Sequence, residues 1–264
     1  ARHRHHEDSI KNLLAYFKNK EGIISVVLGG SVAKGLERTD SDIDAMIIVT
    51  PEYYEMKKTA HQTAETIHGY CTYPEGYFDL KYYTKDFIKA VMKMGSEPAR
   101  NAYLEAKVLF SSDDEIYEIV DKIGKFQDYE KDEKLLVFYS NLMLNYDYFW
   151  NIKELDKWFR LKVATEVIYS CYRIILQENG VLFPCNRNLE QAVIRCENKP
   201  DGFVEMVNEF LEDMTDERLK RFVQALRDWM SFKEPDDFSP VLSAYVRYYE
   251  LWWNEEYSPF VNEW

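Results

Sequence analysis

The sequence predicts an α/β (α+β) N-terminal domain with a mixed sheet, followed by an all-α helical-bundle domain. Short β-branched or aromatic runs alternate with helical patterns over the first part of the chain, which is typical of a sheet covered by helices. After Asp113, strand signals become rare and long amphipathic helical patterns dominate. This change places the boundary near Gly124, so the predicted domains are residues 1–124 and 125–264.

The N-terminal elements follow from local sequence. The run IISVVL at 23–28 is short and β-branched, as in a buried strand, and the next such run begins at Ile43. We interpret His61 and His68, one heptad apart in a predicted helix, as structural residues. In full, the pattern predicts strands at 23–28, 43–49, 77–83 and 107–110 and helices at 10–20, 32–37, 52–68, 86–93 and 98–106.

The C-terminal elements are predicted to be helices, because apolar residues recur there at helical spacing. The pair Asn179–Gly180 and several prolines separate the segments. Aromatic residues at helical spacing, as in NYDYFWNIKELDKWFR, are interpreted mainly as core packing. The predicted helices are 134–149, 155–178, 203–214, 218–230 and 240–254.

Composition narrows the function classes. The chain has 264 residues, 46% of them hydrophobic, and a formal net charge of -13, about -9 of which falls after Gly124. Such acidity disfavours a nucleic-acid partner and suits a cationic one, although a solvated acidic surface is the simpler interpretation. No apolar segment approaches membrane-spanning length, so we expect no membrane partner.

Cysteines and histidines give little evidence of a metal centre. The four cysteines lie far apart with no CxxC spacing, which predicts reduced thiols in a cytoplasmic protein. The opening ARHRHHED contains His3, His5 and His6, and we interpret it as a frayed, basic N-terminus rather than as a metal-binding tail.

The start of the second predicted strand, DSDIDAMIIV, carries the first pattern that points to chemistry. Side chains alternate along a strand, so Asp42 and Asp44 project from one face about 7 Å apart. Two close carboxylates repel each other and lose hydration unless a cation joins them. Oxygen ligands in this arrangement point to a hard divalent cation, Mg²⁺ above all.

A glycine turn lies a dozen residues upstream, in GGSVAKG. Gly30 allows a ligand to approach the main chain closely, and Ser31 lies where a short helix is predicted to open. The free N–H groups and the positive dipole end at the start of a helix favour a phosphate, with the Ser31 hydroxyl as a further donor. A phosphate cradle beside a metal-binding acidic pair is what nucleotidyl transfer requires.

The run GGSVAKGLERTDSDID resembles the signature of the DNA polymerase β-like nucleotidyltransferase superfamily, a Gly-Ser turn followed by Asp-x-Asp on the next strand. It looks most like the small-molecule branch, which includes the aminoglycoside and lincosamide nucleotidyltransferases. The resemblance implies a third carboxylate on a later strand, for which Asp79 in YFDLKYY is the candidate. Lys81 shares the strand face of Asp79 and is a candidate phosphate contact, with a solvated lysine as the alternative. Arg100 is interpreted either as a nucleotide contact or as a surface charge.

The resemblance implies an enzyme that transfers a nucleoside monophosphate, AMP from ATP by default, to a hydroxyl group and releases pyrophosphate. The three aspartates would bind two Mg²⁺ ions and form the catalytic group. Gly30, Ser31 and Lys81 would bind the nucleotide, in a cleft between the two domains.

The sequence leaves the acceptor open. The first hypothesis is a small hydroxylated molecule, aminoglycoside-like and cationic, as in antibiotic resistance. The second is a protein side chain or an RNA end, as in toxin-like members of the superfamily. The third is a non-catalytic nucleotide-binding module, against which the presence of all three acidic residues argues. Asp79, Glu166 and Asp147 are candidates for the general base, and the oligomeric state is not predicted.

Overall fold

The computed structural model describes residues 3–255 and 263. The chain forms two compact units, residues 1–125 and 126–264. The first unit contains a mixed five-stranded sheet with helices around it, and the described part of the second unit contains helices and no strand. The predicted fold class is therefore confirmed.

Helices and strands alternate along most of the first unit. In chain order they are α1 (Arg4–Phe17), β1 (Ile23–Leu28), α2 (Gly30–Lys34), β2 (Ile43–Val49), α3 (Pro51–Thr59), β3 (Ala64–His68), β4 (Tyr77–Thr84), α4 (Lys85–Met94), α5 (Glu97–Asn101), β5 (Lys107–Ser111) and α6 (Glu115–Ile123). The predicted strands at 23–28 and 43–49 have the predicted bounds.

The five strands form one sheet in the order β3-β4-β2-β1-β5. Strands β2 and β4 are parallel, whereas the pairs β1–β2, β1–β5 and β3–β4 are antiparallel. In the parallel pair, Asp44 stands directly opposite Asp79. The two aspartates therefore come from neighbouring strands, near the amino end of each.

Both faces of the sheet are packed. Leu28 of β1 and Ile47 of β2 belong to one buried cluster with Phe17 of α1. The side chains that alternate with them, such as Ile48, belong to a second cluster with residues of α4 and α6, such as Ile119. Strands covered on both faces read as continuous apolar runs, which is why β1 and β2 were predictable from sequence. This packing holds the strands that carry the aspartates.

One predicted helix is wrong in its second half. The helix expected at 52–68 ends at Thr59, and residues Ala64–His68 form the edge strand β3 instead. His61 lies in the turn between them with a positive φ of 55°, so it shares no helix face with His68. The exposure of β3 alternates along its length, and its sequence AETIH lacks the apolar run that marks a buried strand.

The N-terminal segment is helical rather than frayed, which corrects the prediction made from its histidines. Helix α1 begins at Arg4, and the His6 side chain is fully buried. The rings of His3, His5 and His6 lie with their centroids 4.3–5.6 Å apart. The His6 ring also contacts the main chain of Ser41, a long-range contact that local sequence does not reveal.

The described part of the second unit has six α-helices around one apolar cluster rich in aromatic rings. They are α7 (Lys131–Met143), α8 (Lys157–Glu178), α9 (Leu189–Arg195), α10 (Phe203–Glu212), α11 (Asp216–Trp229) and α12 (Ser239–Tyr245). The helices predicted at 134–149 and 240–254 are shorter than expected. Each continues as a π-helical turn, Leu144–Tyr148 after α7 and Val246–Glu250 after α12.

Candidate active site

Three aspartates of the first unit converge at one point. Asp44 and Asp79 face each other across the parallel β2–β4 pair, and Asp42 lies two residues before Asp44. One carboxylate oxygen from each residue lies within 4.8 Å of the other two, and all three side chains are half-buried. The predicted partners Asp42, Asp44 and Asp79 are therefore brought together, and we call them the acidic trio.

The acidic trio is electrostatically strained in the absence of a cation. Burial raises the pKa of Asp44 to about 6, and repulsion by Asp42 and then by Asp79 adds to the effect. The positive charges of Lys81 and Lys34 lower the pKa of Asp44, but by less than burial and repulsion raise it. Carboxylate oxygens are the ligands that Mg²⁺ takes, so the donor set fits a hard divalent cation.

The glycine turn lies against the acidic trio. Gly29 N–H donates to the main-chain carbonyl of Asp44 over 3.0 Å. Gly30 has a φ of +64°, and a Cβ added to it would lie 1.8 Å from Asp44 Oδ2. The Asp44 carboxylate thus occupies the space that any side chain at position 30 would need, and only glycine fits there.

Helix α2 starts at this turn. It begins at Gly30 and is five residues long, with Ser31 half-buried in its first turn. The first turn of α2 lies beside the Asp44 carboxylate, because Gly30 is in contact with it. The sequence-predicted phosphate-binding residues Gly30 and Ser31 therefore lie next to the acidic trio.

Three basic residues, Lys34, Lys81 and Arg100, differ in their surroundings. Lys81 on β4 lies two residues after Asp79, on the same strand face, and is exposed. Lys34 Nζ donates to the main-chain and side-chain oxygens of Asn101 at 3.1 and 2.8 Å. Arg100 is 3% exposed and its guanidinium donates to main-chain carbonyls, including that of Met92. The interpretation of Arg100 as a surface charge is therefore wrong, and its bonds to main-chain carbonyls give it a structural role.

Tyr77 is a site residue that the sequence reasoning did not single out. Its hydroxyl contacts the Asp42 carboxylate, and the charge of Asp42 and this hydrogen bond raise the pKa of Tyr77. Tyr77 lies two residues before Asp79 at the start of β4, so strand alternation places both side chains on one face. The two-residue spacing between Tyr77 and Asp79 is therefore the sequence feature that could have identified Tyr77 as a site residue.

The two general-base candidates from the helical unit have different surroundings. The Glu166 carboxylate accepts hydrogen bonds from Lys162 Nζ at 2.8 Å and from Asn141 Nδ2 at 2.9 Å. Burial raises the pKa of Asp147, while Arg227 acts in the opposite direction. Neither environment selects one of them.

Residues 10–173 match a family model described as nucleotidyltransferase domain. The matched span covers more than half of the chain and includes the glycine turn and the acidic trio, so the chain belongs to the nucleotidyltransferase family. It is an enzyme of the nucleotidyltransferase class, and the predicted family and enzyme class are confirmed. None of its described helices is long and apolar enough to cross a lipid bilayer.

Two solved structures are distantly similar to this chain, and no protein of curated function matches the sequence. A nucleotidyltransferase-like protein from Exiguobacterium sibiricum 255-15 is 10% identical with a TM-score of 0.48, over 95% of this chain and 81% of that one. Spectinomycin adenyltransferase AAD(9) from Enterococcus faecialis, solved with ATP and spectinomycin, is 12% identical with a TM-score of 0.34, over 94% of this chain and 99% of that one. The family assignment rests on the sequence match.

Proposed function

We propose that this protein transfers a nucleoside monophosphate, AMP from ATP, to a hydroxyl group of a small molecule and releases pyrophosphate. The observation that carries the proposal is the convergence of Asp42, Asp44 and Asp79 against the Gly30 turn, in a chain of the nucleotidyltransferase family. A triphosphate needs both cation ligands and main-chain donors, and this corner of the sheet supplies both types of group.

The proposal gives each residue a separate role. The N–H groups that open α2 at Gly30, together with the Ser31 hydroxyl, hold phosphate oxygens of the nucleotide. Lys81, exposed on the same strand face as Asp79, contacts a phosphate through its ammonium group. The Gly30 main chain keeps the Asp44 carboxylate directed at the cation site, because the two are in contact.

Asp42 and Asp44 would hold two Mg²⁺ ions, and Asp79 would hold the ion that activates the acceptor hydroxyl. When bound, the ions neutralise the triphosphate and lower the pKa of that hydroxyl. Asp79 takes the proton from the acceptor hydroxyl as it attacks the α-phosphate.

A small cationic acceptor, aminoglycoside-like, is our first choice, and antibiotic resistance is the role that it implies. The excess of acidic residues after Gly124 supports a cationic acceptor, and the overall charge of -13 disfavours RNA. A protein acceptor is the second choice. A non-catalytic nucleotide-binding module is the third, and the complete acidic trio argues against it.

The test is transfer of label from ATP labelled at the α-phosphate, with Mg²⁺, to a panel of aminoglycosides, lincosamides, tRNA and lysate proteins. We expect label on a small molecule and a loss of more than about 100-fold in the double variant Asp42→Asn/Asp44→Asn, because even outer-shell partners of a metal contribute 10–100-fold. Asp40→Asn is the matched control, because Asp40 is 71% exposed and pairs with Arg38 at the surface. Label found only on tRNA or on a protein would replace the acceptor class, and full activity of the double variant would refute the site.

A further inference from the structure

The three members of the acidic trio are not held in the same way. Asp44 and Asp79 lie within strands β2 and β4, where main-chain pairing in register fixes them opposite each other. Asp42 precedes β2, which begins at Ile43, and it has no position in the strand ladder. A separate set of contacts must therefore fix Asp42 if all three carboxylates are to stay within 4.8 Å.

The Tyr77 hydroxyl contacts the Asp42 carboxylate itself, and a second group of contacts converges on the peptide group directly before Asp42. The main-chain carbonyl of Ser41 accepts two hydrogen bonds, from His6 Nε2 at 3.1 Å and from the Tyr73 hydroxyl at 2.5 Å. Since a carbonyl only accepts, His6 carries its proton on Nε2. The peptide group that joins Ser41 to Asp42 is planar. Two hydrogen bonds to its oxygen therefore also fix the positions of the Asp42 nitrogen and Cα atoms.

The two donors belong to segments that are joined to each other. Thr72 N–H donates to Ser9 Oγ of α1 at 3.0 Å, and Thr72 Oγ1 donates to the main-chain carbonyl of His5 at 3.0 Å. Asn12 Nδ2, one helical turn further along α1, donates to the main-chain carbonyl of Tyr70 at 2.7 Å. The first half of α1 and residues 70–73 thus form one hydrogen-bonded unit.

The donors also pack on each other. The rings of His6 and Tyr73 meet edge to face with centroids 5.0 Å apart, and the His5 ring lies 4.7 Å from Tyr73. His6 is fully buried and Tyr73 half-buried, so water competes little for the Ser41 carbonyl. Groups held in this way have few alternative positions.

We propose that His6 and Tyr73 are positioning residues that hold Asp42 in the acidic trio through the Ser41 carbonyl. The inference rests on the proposed function, because it assigns the acidic trio to divalent cations. Outer-shell partners of this kind set the orientation of a metal ligand without touching the metal. Loss of either donor leaves β2 and β4 paired but removes one of the two hydrogen bonds to the Ser41 carbonyl, so Asp42 is held less firmly and cation affinity falls while the sheet remains folded.

The test is titration of the full chain with Mn²⁺ alone, followed by electron paramagnetic resonance, with thermal unfolding of each variant in parallel. Tyr73→Phe removes one hydroxyl, and His6→Leu removes the second donor. His6→Gln keeps an N–H donor near the Nε2 position. Asn12→Ala is the matched control, because it breaks a bond between the same two segments without affecting Ser41.

We expect Tyr73→Phe and His6→Leu each to weaken Mn²⁺ binding about 10-fold. His6→Gln should recover most of this loss, and Asn12→Ala should bind Mn²⁺ like the wild type. Should His6→Leu fail to fold, Tyr73→Phe, which deletes a single oxygen atom, carries the test.

Unchanged Mn²⁺ affinity in Tyr73→Phe, an equal loss in Asn12→Ala, or a wild type that binds no Mn²⁺ would overturn the inference. The proposed function fails separately. A wild type that binds Mn²⁺ but transfers no nucleotide refutes the proposed function and leaves the positioning role standing. Conversely, if the wild type transfers nucleotide but Tyr73→Phe binds Mn²⁺ normally, the positioning role is refuted and the proposed function stands.

Discussion

Gly30 and the Asp44 carboxylate compete for the same small volume, which makes position 30 a sensitive probe of the site. Gly30→Ala would place a methyl group 1.8 Å from the present position of Asp44 Oδ2. We expect the carboxylate to be displaced and Mn²⁺ affinity to fall more than about 10-fold, as for the loss of a ligand's support. Titration with Mn²⁺ measures the change.

Gly35→Ala provides the control for that substitution. Gly35 also has a positive φ, +68°, but a Cβ added there meets no atom within 4 Å. Both variants bear the cost of about 1–2 kcal/mol for an alanine in the left-handed region, which urea unfolding detects. Only Gly30→Ala should lose cation affinity, and equal Mn²⁺ affinities in the two variants would contradict this account of the glycine.

The Asp44 carboxyl should make the metal-free protein less stable as the pH rises. Its pKa is about 6 in the folded chain against 3.8 as the reference, so the folded state binds more protons between these values and stability falls from about pH 4 to pH 6. Asp44→Asn mimics the neutral form. In EDTA at pH 7 it should exceed the wild type by about 2–3 kcal/mol in the free energy of unfolding, with little difference at pH 4.

Addition of Mn²⁺ should reverse that order at pH 7, because the cation stabilises the wild type and binds Asp44→Asn weakly. Asp40→Asn, exposed and outside the acidic trio, should leave stability nearly unchanged under all these conditions. Urea unfolding with and without the cation gives both comparisons. A variant Asp44→Asn that is less stable than the wild type in EDTA would show that burial and repulsion of the Asp44 carboxylate are outweighed by other interactions of that side chain.

At the scale of elements, burial on both faces decided which parts of the fold were predictable. Strands β1 and β2 are apolar on both faces, so a run of β-branched residues marked them. The edge strand β3 is partly exposed throughout and carries no such signal, and its pairing with β4 depends on the rest of the sheet. The π-helical turn after α7 likewise has no signature in the periodicity of its sequence.

The helical unit contains a buried ion pair whose loss should destabilise it strongly. Arg173 of α8 is fully buried, pairs with Glu263, and lies over the rings of Phe138 and Phe183 at 4.3 and 4.1 Å. Glu263→Gln removes the negative charge of this pair while the guanidinium stays buried. We expect a loss of about 3–5 kcal/mol in the free energy of unfolding, measured by urea unfolding of the full chain.

An exposed Arg–Glu ion pair provides the control that separates the effect of burial from the effect of charge. A guanidinium nitrogen of Arg221 lies 2.7 Å from Glu209 Oε2, and each side chain is about half exposed. Glu209→Gln should cost less than about 1 kcal/mol, because surface ion pairs are screened by water. Similar losses for the two Glu→Gln variants would mean that Arg173 is compensated by other groups.

At the scale of the whole molecule, the sequence indicated most of the candidate site but not what holds it together. Strand alternation was enough to predict that Asp42 and Asp44 share one face, although Asp42 itself precedes β2. That Asp79 stands opposite Asp44 depends on β4 pairing directly with β2, although β3 separates these two strands in the sequence, and no local pattern contains this pairing. His6 supports Asp42 through a contact with Ser41, 35 positions further along the chain. Local sequence does not contain this contact, and the N-terminal histidines were instead interpreted as part of a frayed tail.

The net charge of the chain provides a test of the proposed acceptor. A formal charge of -13 raises the local concentration of a cationic molecule through long-range attraction, which salt screens with a Debye length of about 10 Å at 0.1 M. For a cationic acceptor we expect KM to rise several-fold between about 50 and about 300 mM NaCl, with kcat nearly constant, because screening weakens encounter rather than the chemical step. A neutral hydroxylated acceptor assayed at the same ATP concentration is the control, since any effect of salt on nucleotide binding appears in both. Equal salt dependence for the two acceptors would show that the acidity of the chain serves solubility and not acceptor binding.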